Sequence, residues 1–195
     1  MSRTMYLTGD EDADRLLAED ANALLIGMLL DQQVPMEKAF RGPAVLAERL
    51  GGTLDVRKIA TMDTSEFVEL CSKPPAIHRF PKSMGERVQN LCRVLVDEWD
   101  GDAANLYAAA STGKELKKLL LALPGFGEQK AKIFVALLGK RWHVTPAGWR
   151  EAAGDYGLDG HRSVADITSA ESLQQVRAFK KQAKAAARAE KASGN

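Results

Sequence analysis

The chain has 195 residues, of which 45% are hydrophobic and 27% charged, and its 27 basic and 26 acidic side chains leave a net charge of +1. Such a composition belongs to a soluble globular protein with one core, or with two small lobes sharing one; no apolar run approaches the roughly 18 residues that span a bilayer, which argues against a membrane protein. The two cysteines, Cys71 and Cys92, form no CxxC pair, which argues against a disulfide framework, a zinc site or a four-cysteine iron–sulfur cluster.

The opening segment, MSRTMYLTGDEDADRLL, is acidic from Asp10 onward and has neither the basic start nor the apolar middle of a signal peptide. A cytoplasmic location is expected, nucleoid-associated in a bacterium. Strand-type alternation is nearly absent and helical spacing recurs throughout, so the expected fold is all-α. Thr8 with Glu11 has the three-residue separation of a capping box and marks a first helix start. ANALLIGMLLDQQ, apolar on most sides, reads as a central buried helix that ends on Gln32 and Gln33 before Pro35. Gly51-Gly52 breaks the chain, Asp63 with Glu66 marks a second start, and Pro74-Pro75 and Pro81 break it again. ERVQNLCRVLVDEW then places Val88, Leu91, Cys92 and Leu95 on one face, as a second core helix.

Thr112 with Glu115 opens KELKKLLLAL, which runs into Pro-Gly-Phe-Gly and then EQKAKIFVALLG. Two helices joined by so tight a turn make a helix–hairpin–helix. Gly125 and Gly127 permit unusual dihedrals and close approach, so amides at the second helix's start can face an anion such as a DNA phosphate. Lys130 and Lys132 follow within about one turn and add charge attraction. A plain αα-hairpin that needs glycine for packing is the bland alternative. Beyond the hairpin the chain breaks around Thr145-Pro146-Ala147-Gly148, and Thr168 with Glu171 marks the last start. The basic, alanine-rich end KKQAKAAARAEKASGN either continues that helix from near Ser169 or frays into disorder. Residues 113–141 and 173–195 each carry +5, leaving −9 on the rest. Two basic segments on an acidic body imply particular faces for a polyanion. His78, His143 and His161 are scattered without ligand spacing, so no metal site is expected.

Over roughly residues 20–150 the chain resembles the helix–hairpin–helix (HhH-GPD) superfamily of DNA glycosylases, the endonuclease III-like base-excision repair proteins. LPGFGEQKA is similar to the family hairpin LPGVGxxxA, LLIGMLLDQQV to the buried helix ending in a glutamine pair, and RFPKSMGERVQNLCRVL to the segment between them. The resemblance implies a two-lobed helical fold with a DNA-facing cleft within one domain, 1–195: a hairpin-bearing lobe over 22–147, and a second lobe from 1–21 and 148–195 that carries the basic C-terminal helix or tail. It also implies double-stranded DNA as partner, a monomer, and DNA contacts from Gln33, Gly125, Phe126, Gly127, Gln129, Lys130 and Lys132. The family's equivalent of Gln33 enters the duplex where a damaged nucleotide has been flipped out; otherwise Gln33 is an exposed polar residue. Cofactors are expected to be none beyond a monovalent cation, K+ or Na+, on hairpin carbonyls near Leu123 and Gly125.

Two family positions depart. Base excision needs negative charge near a sugar on which positive charge develops; the family's V-D-T-H segment reads VTPA here, with Thr145 in the aspartate's place and Ala147 in the histidine's. The nucleophilic lysine of bifunctional members aligns with Gln129, and Lys130, about 100° further round the helix, reads as a phosphate contact. Three explanations follow. A monofunctional glycosylase can act on a weakly held base, such as a cationic alkylated purine, by stacking in a base pocket on Trp142, Trp149 and Phe126. A displaced carboxylate, Asp31, Glu151 or Asp155, can replace the aspartate. Or the scaffold binds DNA without chemistry. A helical protein–protein module whose basic tail meets an acidic partner is the alternative of another class.

Overall fold

Short polar side chains that satisfy free amides begin most of the helices. In the computed structural model, which describes residues 2–194, Asp10 caps α1 (Glu11–Glu19) by accepting from the Ala13 amide. Asp20 caps α2 (Ala21–Leu30) through the Asn22 and Ala23 amides. Proline precedes α3 (Met36–Arg49) and opens α6 (Pro81–Trp99), while Asp55, Asp63 and Asp102 cap α4 (Val56–Thr61), α5 (Thr64–Ser72) and α7 (Ala103–Ala109). Thr112 caps α8 (Gly113–Leu121), and α9 (Glu128–Arg141), α10 (Trp149–Ala153) and α11 (Ala170–Ser193) complete the chain with two 3-10 turns at Gly154–Gly157 and Val164–Asp166. No strand occurs among the described residues, so the fold is all-α.

Two expected starts move. Thr8 is not a cap, because its hydroxyl bonds the amide and carbonyl of Asp10 and leaves the aspartate to begin α1. Thr168 likewise yields to Ser169, which forms a reciprocal box with Ser172. The basic C-terminal stretch is helical through Ser193.

All ten residues of α2 are buried, as its all-round apolar pattern requires. Around it the buried apolar side chains form one continuous cluster from Met5 to Val176. α6 adds Val88, Leu91, Cys92 and Leu95 to that core. Its buried Gln89 ties α4 and α5 to it by donating to the Ile59 and Met62 carbonyls and accepting from the Thr64 hydroxyl. Both cysteines are buried free thiols, and burial pushes Cys71 up to about 12. At the C-terminal end, Lys140 of α9 and Asp166 form a 2.7 Å ion pair whose side chains are only 7% and 6% exposed. Asp166 also accepts the amides of Arg162 and Ser163, so one carboxylate fastens the segment before α11 to α9.

Candidate nucleic-acid interface

The hairpin's two glycines have different causes. Gly125 has φ +80, and a Cβ there would lie 2.3 Å from Leu29 Cδ1 on α2, so turn and packing both demand a bare backbone. Gly127 has φ −88 and nothing within 4 Å of a would-be Cβ. Packing therefore leaves Gly127 unexplained. It caps α9 with no side chain, and the first amides of that helix stay open beside an exposed surface. Phe126, between them, is turned inward and meets Phe134 edge to face at 5.9 Å. On the outer side Glu128 joins Lys117 at 2.9 Å and Lys132 at 3.7 Å, and the Lys132 side chain is 37% exposed.

Lys130 does something else. Its ammonium turns in and donates to the carbonyls of Met28 and Leu29 at 2.9 and 3.0 Å, satisfying the free C-terminal end of α2. Burial pushes its pKa down to about 8, against the pull of the neighbouring Asp31 carboxylate. Asp31 is in turn pushed up by burial, opposed by Lys180 and Lys130.

The glutamine pair divides its labour just beyond. Gln32 is anchored: its amide nitrogen lies 3.0 Å from Met84 Sδ, and its carbonyl bonds the buried ring of His78 at 2.8 Å. Gln33 is exposed on a left-handed backbone, φ +57, which a non-glycine residue adopts only at a cost. A strained corner thus presents one free side chain. Between this corner and α9 lies a cavity of about 550 Å³, lined by Asp31, Gln33, Gln129, Lys130 and Tyr156 and flanked by Lys180 of α11.

A family model described as "HhH-GPD superfamily base excision DNA repair protein" matches residues 26–194. The chain belongs to that superfamily. Comparison with curated proteins and with solved structures gives no match. As an HhH-GPD protein it is a DNA-binding protein of base-excision repair, and the helix that follows its hairpin lines the same cavity as the glutamine corner. No helix among the described residues is long and apolar enough to cross a membrane, and no three His, Cys, Asp or Glu side chains among them gather as metal ligands.

The HhH-GPD positions that depart do not all face this cavity. Gln129 does, and its amide donates to the Tyr156 hydroxyl at 3.0 Å. Thr145 instead lines a separate cavity of about 620 Å³ with Trp149, Arg150 and the Lys140–Asp166 pair, which shares no residue with the first. Trp142 corrects an expectation: it is 4% exposed in the core, its indole N–H bonded to the Leu17 carbonyl. Trp149 packs on Gly139 and lines the second cavity and not the first; Phe126 is core. Of the three carboxylates, Asp31 alone lines the main cavity. Asp155 lines a smaller neighbour of about 460 Å³ with Gln129, Lys132 and Phe179. Glu151 is exposed and lines neither. The aromatics at the main cavity are Tyr156 and Phe179, which sequence reasoning missed. Phe179 carried a signal, as the one aromatic residue in an otherwise polar and alanine-rich helix.

Proposed function

We propose that the protein is a monofunctional DNA glycosylase that receives an extrahelical nucleotide in the Asp31–Lys130 cavity of a bound duplex, acting as a monomer. The observation that carries this is Asp31: a half-buried carboxylate on a cavity of nucleobase-compatible size, between the exposed Gln33 corner and the hairpin helix. Its charge is held by Lys130 and Lys180 against the desolvation that raises its pKa. In that position it stabilises the positive charge that develops on the sugar as the glycosidic bond breaks, the base leaving with the bond's electron pair and water adding to the anomeric carbon with loss of a proton to solvent. Gln33 fills the gap in the duplex, and the open amides at Gly127 take a backbone phosphate.

The reading favours bases that leave easily, cationic alkylated purines before uracil or oxidised purines, because Asp31 is the one carboxylate that lines the cavity. The test is a panel of duplexes, each with one modified base, scored for abasic sites with the wild type and with Asp31→Asn. Excision of an alkylated purine is expected, with turnover lowered on the order of 10² or more in the variant and duplex affinity nearly unchanged. Preferred binding of distorted duplex with no excision from any member of the panel would instead make the chain a silent DNA binder, a reading that the replacements at Gln129 and Thr145 favour.

A further inference from the structure

α11 is 24 residues long, yet its seat on the body is confined to its first turns, where Ser172 and Val176 are buried and Leu173 is partly so. Every described residue after Val176 is exposed. At 100° per residue, Arg177, Lys180, Lys181, Lys184, Arg188 and Lys191 fall within an arc of about 100°. The remaining surface is mostly alanine, and the one acid in this stretch, Glu190, lies outside the arc. Arg177 pairs with Glu37 of α3; the other five cations make no salt bridge among the described residues. Like charges at i,i+3 and i,i+4 repel, so the stripe weakens the helix that carries it, and the alanines offset this by propensity.

We propose that this stripe is a second nucleic-acid contact, an arm that lies along the phosphates of the DNA strand leading into the Asp31–Lys130 cavity. The inference rests on the DNA reading above and extends it to a surface that the hairpin does not supply. Three features carry it. Lys180 and Lys184 line the cavity itself, so the stripe begins at the site and runs outward. From Arg177 to Lys191 it covers about 21 Å at 1.5 Å per residue, a length over which one strand of a duplex presents about six phosphates. Beyond Phe179 the helix has no large apolar side chain, so it lacks the anchor that a membrane-surface helix needs.

The experiment measures fluorescence anisotropy of an undamaged duplex of about 20 base pairs with the full chain, across a salt series. Lys181, Arg188 and Lys191 do not line the cavity, and the triple variant Lys181→Gln/Arg188→Gln/Lys191→Gln keeps good helix formers. It is expected to bind about 10²-fold more weakly at 0.1 M salt, with a log–log salt slope shallower by about 3. A second variant adds Gln182→Lys, Ala186→Lys and Ala189→Lys, which restores the net charge on the face away from the stripe; binding is expected to stay weak. Circular dichroism confirms that α11 is retained in both. An unchanged slope in the triple variant, or full recovery in the relocated one, overturns the arm. Tighter binding by the triple variant overturns it in favour of a helix that shields the cavity, and equal affinity of the wild type for poly-glutamate overturns it in favour of an acidic protein partner. A wild-type chain that binds no duplex at all fails at the DNA reading itself, whereas duplex binding with an unaltered slope fails at the arm alone.

Discussion

Lys130 and Asp31 are each pulled from ordinary behaviour by burial and partly restored by the other. For Lys130 this has a measurable sign. Its pKa falls from 10.5 to about 8 on folding, so between those values the unfolded chain holds more protons than the folded one. Stability from this group therefore rises with pH across that window, and the penalty is fully present below it. The melting temperature of the wild type, taken relative to Lys130→Met, is expected to climb from pH 8 to 10.5; a flat difference would show that the ammonium is not desolvated. The same geometry bears on chemistry. Two carbonyls of α2 hold the amine, and Gln129, in the position of the family's nucleophile, has no amine to offer. Incubation with abasic DNA and borohydride is expected to give no covalent adduct. An adduct that disappears in Lys130→Met would make the lysine reactive and end the monofunctional reading. The expectation of a phosphate contact failed to anticipate Lys130's inward turn because the carbonyls it meets lie about a hundred residues away in sequence, where helical spacing carries no information.

At the scale of elements, the caps and the two core helices are legible because their causes are local. Asp63 and Thr112 sit where the spacing puts them, and α2 is apolar on every side because every side is buried. Thr8 and Thr168 mislead because a neighbouring residue, Asp10 or Ser169, takes the cap instead. The hairpin is legible as a motif, but its two glycines read alike in sequence and differ in space. Gly125→Ala must adopt φ +80 and push against Leu29, so a loss of about 1–3 kcal/mol in denaturant unfolding is expected. Gly127→Ser meets nothing and supplies α9 with a hydroxyl cap, so stability is expected to hold or rise by about 0.3 kcal/mol. Duplex affinity should nevertheless fall, since the hydroxyl occupies the amides that a phosphate would take. A variant with unchanged affinity would place the phosphate elsewhere on the hairpin.

For the molecule as a whole, the all-α class and the family follow from pattern and motif, whereas the union of the C-terminal segment with the rest depends on a contact no pattern announces. Lys140 lies near the end of α9 and Asp166 in a short 3-10 turn, so each reads alone as a solvated charge. In the fold they form a nearly closed pair that fixes the turn before α11, and α11 carries Phe179 and Lys180 to the cavity. Removing one partner strands the other as a buried charge, the costly case for an ion pair, whereas replacing both with neutral groups is far milder. Asp166→Asn is therefore expected to lower stability by about 3 kcal/mol, and the double variant Asp166→Asn/Lys140→Met to recover much of that loss. The double-mutant cycle from chemical denaturation gives the coupling directly. Because the same joint seats α11, Asp166→Asn should also weaken duplex binding, and to a larger degree than Gly125→Ala at matched stability. Equal binding losses in those two variants would mean that α11 reaches its place without the pair.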